Sequence, residues 1–166
     1  MTYLYLDRMQ RGEGEKVSQR KFCNSELTIM NGTIDDSSYI RQKLIQYNMT
    51  KVPLEGYLVI ESLSLVIKDS EGLVVGGVNG TIIQYWKRCH IDILWVDERY
   101  RGSGYGDSLL KKVEEVAAEK GCAIIRLETY SFQAPEFYSK RGYEEFGRID
   151  NHPEGHTQFF FKKILE

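Results

Sequence analysis

Arg101-Gly102-Ser103-Gly104-Tyr105-Gly106 is the stretch on which the fold turns. Before it, residues 91–96 (Ile-Asp-Ile-Leu-Trp-Val) form an apolar run that reads as a strand. After it, Leu109, Leu110, Val113, Val116 and Ala117 recur at helical spacing and give one helix face an apolar stripe. A strand that passes through a glycine turn into a helix leaves the first N–H groups of that helix without partners. These groups point outward together at the positive end of the helix dipole. The missing side chains at Gly102, Gly104 and Gly106 let an anion come close. Such a stretch suits a phosphate or pyrophosphate.

The flanking residues separate three phosphate-binding patterns. A Walker A loop needs Lys followed by Ser or Thr after its last glycine, and Asp107-Ser108 stands there. A dinucleotide fingerprint counted from Gly102 puts Asp107 at its third glycine, where a carboxylate would face the pyrophosphate. Glu128 does lie near the end of the next strand, as a ribose-binding acid would. The gap from Val96 to Gly102 is nevertheless long for the tight turn of that fold.

The third pattern fits position by position. Val96-Asp97-Glu98-Arg99-Tyr100-Arg101-Gly102-Ser103-Gly104-Tyr105-Gly106 resembles the acetyl-coenzyme A signature of the Gcn5-related N-acetyltransferases. The core of that signature is Arg/Gln-x-x-Gly-x-Gly/Ala, here Arg101-x-x-Gly104-x-Gly106. Ala134-Pro135-Glu136-Phe137-Tyr138-Ser139-Lys140-Arg141-Gly142-Tyr143 resembles the later motif of the family, a tyrosine-bearing helix ending in Lys-x-Gly-aromatic. The resemblance runs from about Ser38 to the C-terminus and is most specific between Asp92 and Tyr143. It implies an α/β fold of the α+β kind: a mixed, mostly antiparallel twisted sheet flanked by helices, with a β-α-β-α-β C-terminal half. It also implies acetyl-coenzyme A as cofactor, an amine as acceptor and a homodimer as one common assembly.

Site residues follow from the same resemblance. The backbone of Arg101, Gly102, Ser103, Gly104, Tyr105 and Gly106 would hold the pyrophosphate, with the Arg101 side chain adding charge-assisted contacts. In the family the strand before this loop splays from its neighbour, which would leave backbone groups of Leu94, Trp95 and Val96 to the pantetheine arm. One N–H there would polarise the thioester carbonyl, a role worth about 3 kcal/mol in other enzymes. Tyr138 matches the tyrosine near the coenzyme sulfur, and a phenol can protonate a departing thiolate. Ser131 stands where many members carry asparagine, with Gln133 placed to compensate for its shorter reach. Ser131 and Lys140, in the Lys-x-Gly ending, are expected at the cofactor. The amine proton would go to Asp92 or Glu128 on adjacent strands, and the apolar neighbours of Asp92 predict partial burial. The blander alternative is that both carboxylates pair with Arg or Lys, or face water.

Composition agrees with this reading. A chain of 166 residues, 42% apolar, suits one domain with a proper core. A formal charge of -2 argues against nucleic acid as a partner. No apolar run has the length of a membrane span, and the first residues lack the layout of a signal peptide. Cys23, Cys89 and Cys122 are odd in number and widely spaced, which suggests reduced thiols in a cytoplasmic protein.

The element order reads as follows. Residues 1–24 form a polar arm or edge element, and residues 25–166 one domain. A first strand is expected over residues 26–30. Asp35-Asp36-Ser37-Ser38 would cap a helix running to about Asn48, with Ile40, Leu44, Ile45 and Met49 inward. Strands follow at 58–68 and 73–85 around a turn at 69–72, and then at 91–96. The long helix ends at Lys120-Gly121, and a strand at 123–128, a short helix at 135–141 and strands at 143–148 and 157–164 complete the chain.

Other constellations are weaker. His152-Pro153-Glu154-Gly155-His156 reads as a turn, and no metal is expected there. Cys89 beside His90 reads as a small buried residue rather than a nucleophile. Tyr85, Trp86 and Trp95 would line an acceptor pocket or belong to the core. Acceptor contacts are expected from residues 35–56, where Asp35, Asp36 and Glu55 would favour a cationic amine. A small-molecule amine is the preferred acceptor, and a protein lysine or N-terminus the alternative. A coenzyme A-binding module without catalysis and a nucleotide-binding protein are the readings from other classes.

Overall fold

The computed structural model describes residues 27–52 and 59–166. The arm expected over residues 1–24 and the acceptor residue Glu55 lie outside them. The chain divides into two compact units, Met1–Tyr47 and Asn48–Glu166. No helix among the described residues is long and apolar enough to cross a membrane.

The first expected strand is not formed. Residues 27–30 have no regular structure, and Leu27, Ile29 and Met30 are exposed. A strand is held by its ladder and its cross-strand neighbours, and no strand of the sheet pairs with this run. Helix α1 spans Ile34–Lys51 and starts from a different cap than expected. Thr33 Oγ1 accepts from the Asp36 N–H at 3.1 Å, and Asp36 Oδ2 accepts from the Thr33 N–H at 2.7 Å. This is a reciprocal capping box, and the Thr33 hydrogen bonds hold the Asp36 carboxyl below its usual range. The expected inward face is also corrected: no α1 residue is buried, and Ile40, Leu44 and Met49 are exposed. Ile34, Tyr39, Ile40, Leu44, Tyr47 and Met49 are spread around the helix and make no single stripe.

The second unit carries a six-stranded sheet in the order β1-β2-β3-β4-β6-β5. Its strands are β1 (Ile60–Lys68), β2 (Val74–Ile83), β3 (Arg88–Val96), β4 (Ile124–Tyr130), β5 (Glu144–Ile149) and β6 (Gln158–Ile164). Only β3 and β4 run parallel, because α2 (Tyr105–Glu119) is the crossover between them. The short helix α3 (Pro135–Ser139) joins β4 to β5. Asp69 makes the β1–β2 turn by accepting the Glu71 and Leu73 N–H groups on one carboxylate oxygen, both at 2.9 Å. Leu109, Leu110, Val113 and Ala117 of α2 bury against Val78, Ile82, Cys89, Ile91, Ile125 and Leu127.

One extra residue bends the middle of this sheet. Gly80 of β2 pairs with Ile91 of β3, but Asn79 pairs with Ile93, so Asp92 is left over as a β-bulge. The side-chain phase of β3 shifts by one there. Cys89 and Ile91 face the core before the bulge, and Leu94 and Val96 pack against it afterwards. The bulge also brings backbones together: a Cβ on Gly80 would lie 2.4 Å from the His90 carbonyl oxygen. We expect Gly80→Ala to lower the unfolding free energy by about 2 kcal/mol in urea titration, because neither backbone can give way.

Candidate active site

The parallel pair β3–β4 ends where the bulge begins. Its register runs from Arg88 opposite Ile124 to Ile91 opposite Leu127 and stops there. Beyond it β3 stays with β2 as far as Val96, and β4 stays with β6 as far as Tyr130. The two strands therefore part between Asp92 and Glu128. The backbone of Leu94, Trp95 and Val96 lies along the parted edge, as the expected splay requires.

The loop after β3 takes a short 3-10 turn at Glu98–Tyr100 before the glycines, which accounts for the long spacing from Val96. Asp97 starts it by accepting the Arg99 N–H and the Arg99 Nε, each at 3.0 Å. Those bonds hold the Asp97 carboxyl below its usual range. Gly102 and Gly104 then adopt φ of 77° and 83°, in the left-handed region that favours glycine. Ser108 N–H gives the first α2 bond, to Gly104 O. The amides of residues 102–106 have no hydrogen-bond acceptor among the described residues. A run of open amides at a helix start fits a pyrophosphate. The Arg101 side chain is turned elsewhere: its Nε donates to Val96 O at 2.9 Å, and a second guanidinium nitrogen, Nη1, lies 3.5 Å from Glu98. It braces the loop and leaves these amides open.

Gly106 has another reason to be glycine. A Cβ there would meet the Phe137 ring at 3.2 Å, so the start of α2 packs directly on α3. Arg141 completes the clasp. It donates to the Asp107 carboxylate and, at 2.6 Å, to Phe137 O, with its guanidinium 3.7 Å from the centre of the Phe137 ring. The Arg141 hydrogen bond holds the Asp107 carboxyl below its usual range. The acid that is awkward for a dinucleotide loop is thus turned onto its own cation.

Tyr138 follows Phe137 and is 8% exposed, its ring 6.0 Å from both Tyr143 and Phe161. Burial pushes its phenol up. The hydroxyl has no hydrogen-bond partner among the described residues and is not sealed from solvent. Lys140 is exposed and paired with Glu136 at 3.2 Å. Ser131 is committed to the protein: its N–H donates to Thr157 O at 2.8 Å, and its hydroxyl accepts the Thr157 N–H at 3.2 Å. Gln133 Oε1 accepts from Thr129 Oγ1 and Tyr130 N–H, both at 3.0 Å, and shapes the turn into α3.

The partial burial expected of Asp92 is not found, since the bulge turns it outward and leaves its side chain 49% exposed. Thr81 Oγ1 donates to it at 3.4 Å, and His90 Nε2 lies 3.6 Å away. Glu128 accepts from Gln158 Nε2 at 2.8 Å. The expected aromatic cluster is divided. Tyr85 and Trp86 meet with tilted rings at the β2–β3 turn, whereas Trp95 lies across from Gly77 near the other end of β3. Cys89 is fully buried, and burial pushes its thiol up to about 12, which removes it as a nucleophile. Residues 152–156 form a turn closed by His152 N–H to His156 O at 2.8 Å.

The sequence and fold of known proteins agree with this geometry. The family model for the GNAT acetyltransferases matches residues 32–143. The chain is 39% identical over 95 residues to the blasticidin-S acetyltransferase of Streptomyces morookaense, covering 57% of this chain and 68% of that one. It is 32% identical over 100 residues to the thialysine N-epsilon-acetyltransferase of Bos taurus, covering 57% and 59%. The crystal structure of an acetyltransferase from Bacillus cereus superposes with a TM-score of 0.76 at 50% identity, over 84% of this chain and 98% of that one. The chain belongs to the GNAT acetyltransferase family. It is an acetyl-coenzyme A-dependent N-acetyltransferase.

The clasp has a pH signature. A carboxyl with a lowered folded pKa contributes stability that is full above its unfolded value and is lost as pH falls through the folded one. Asp107→Asn should therefore be less stable than the native chain above about pH 5. The gap should close in acid below the ordinary value of 3.8. Thermal melts across that range check it, and the gap should be small because the Asp107 side chain is 53% exposed.

Proposed function

We propose that the chain acetylates the amine of a small molecule by direct attack in a ternary complex, with both carboxylates at the parting of β3 and β4. That parting carries the reading, because it leaves an open strand edge with one acid on each strand, Asp92 and Glu128, just past the last paired residues. The named activities of the relatives, on blasticidin S and on thialysine, support a small amine-bearing acceptor.

Acetyl-coenzyme A supplies the acetyl group as a thioester. The open amides of residues 102–106 hold its pyrophosphate, and the free edge of β3 at Leu94, Trp95 and Val96 orients the pantetheine arm and polarises the carbonyl. Asp92 or Glu128 would take one proton from the ammonium, so that the nitrogen lone pair is free to form the C–N bond, and the second proton would leave to solvent as the amide forms. As the C–S bond breaks, Tyr138 donates its phenolic proton to the sulfur and recovers one from solvent. Its burial keeps the phenol protonated, as this role needs.

Tyr138→Phe should lower kcat for thiol release by about 10²-fold, with the affinity for coenzyme A unchanged. The native enzyme should retain its acid as the pH passes the ordinary phenol value of 10.0. Removing the carboxylate that takes the proton, by Asp92→Asn or Glu128→Gln, should lower kcat/KM at neutral pH by about 10²-fold. If neither variant is slowed, the assignment of proton removal to this pair is wrong.

A further inference from the structure

We infer that the C-terminal end of β4 carries an acceptor subsite for a cationic amine on a planar, unsaturated body. The carboxylate of Glu128 would take the ammonium, and Tyr130 and Phe132 would form the wall for the plane. The inference rests on the acetyl-transfer reading of the parted strands and adds the class of acceptor.

Glu128 and Tyr130 alternate along β4 and so share one face. Gln158 of β6 stands directly across from Tyr130 on that face, and it is only 9% exposed. Its amide donates to Glu128 Oε2 at 2.8 Å. An amide is neutral, so it orients the carboxylate without cancelling its charge and leaves Oε1 for another donor. Among the described residues no cation pairs with Glu128. Arg126, two positions earlier on the same face, is set instead over the Phe146 ring at 5.7 Å. A carboxylate oriented in this way and left unneutralised, one residue past the end of the β3–β4 pairing, is matched to an ammonium.

The wall beside it is equally fixed. The rings of Tyr130 and Phe132 stack with centroids 5.2 Å apart and planes 8° from parallel. His156 meets Phe132 edge-on at 4.8 Å, and its Nδ1 lies 3.3 Å from Ser131 Oγ. The two Ser131–Thr157 hydrogen bonds, one through the Ser131 N–H and one through its hydroxyl, tie this turn to the start of β6. Phe132 is nonetheless 57% exposed. A large ring stacked on Tyr130, held by a T-shaped contact with His156 and still more than half exposed offers ring surface to a flat partner. A flexible aliphatic amine would use the carboxylate alone.

Calorimetric titration of the protein–coenzyme A complex with tyramine and with 1,4-diaminobutane reads the subsite directly. Tyramine should bind about tenfold more tightly, Phe132→Ala should abolish that preference, and Phe132→Trp should keep it. Glu128→Gln should weaken both amines, and coenzyme A affinity should be the same in every variant. Equal affinity for the two amines in the native chain, or an unchanged preference in Phe132→Ala, overturns the subsite. Preferential tyramine binding without acetyl transfer would leave the subsite standing and count against the catalytic reading alone.

Discussion

β3 advances from Ile91 to Leu94 while β2 advances only from Gly80 to Val78, and the surplus residue, Asp92, has nowhere to go but outward. From that mismatch the rest of the site follows. The strand bends, its core-facing residues change phase, and its pairing with β4 ends one residue earlier, at Ile91. A fully paired parallel sheet would have spent these backbone groups on its own ladder. Here they remain open beside the glycine loop that follows β3. Gly80 makes the bend possible, because the β2 and β3 backbones approach too closely there for any side chain.

A second constraint couples the two motifs of the chain. The start of α2 must present open amides, and α3 must present Tyr138, so the two helices have to be held in register. Gly106 against Phe137, and Asp107 with Arg141, do this with contacts that cross between the motifs. A residue of the anion loop thereby positions the residue proposed to protonate the leaving sulfur. The same clasp turns the acid that follows the glycine loop onto its own cation.

The C-terminal end of β4 is shaped by polar side chains. Ser131 stands where many members of the family have asparagine, and the structure gives it to the turn before β6 instead. Gln133 makes the contacts that shape the β4–α3 connection, and Gln158 orients Glu128 from the neighbouring strand. The function of each depends on a partner far away in sequence or folded back by a turn. This side of the site was therefore the least legible from residues alone.

The strands, the long helix, the anion loop and the tyrosine helix could be read from the chain, because each is declared locally by period, glycines or caps. The same local signals misled at residues 27–30, where an apolar run found no ladder, and along α1, where apolar residues were too scattered to make a face. Thr33-x-x-Asp36 was a capping signal in plain view, overshadowed by the acids and serines after it. The out-of-register residue at Asp92, the turning of Arg101 toward Val96 and the clasp of Asp107 with Arg141 were decided only by tertiary structure. Register, close backbone approach and ion pairing are relations between segments, and no single segment carries them.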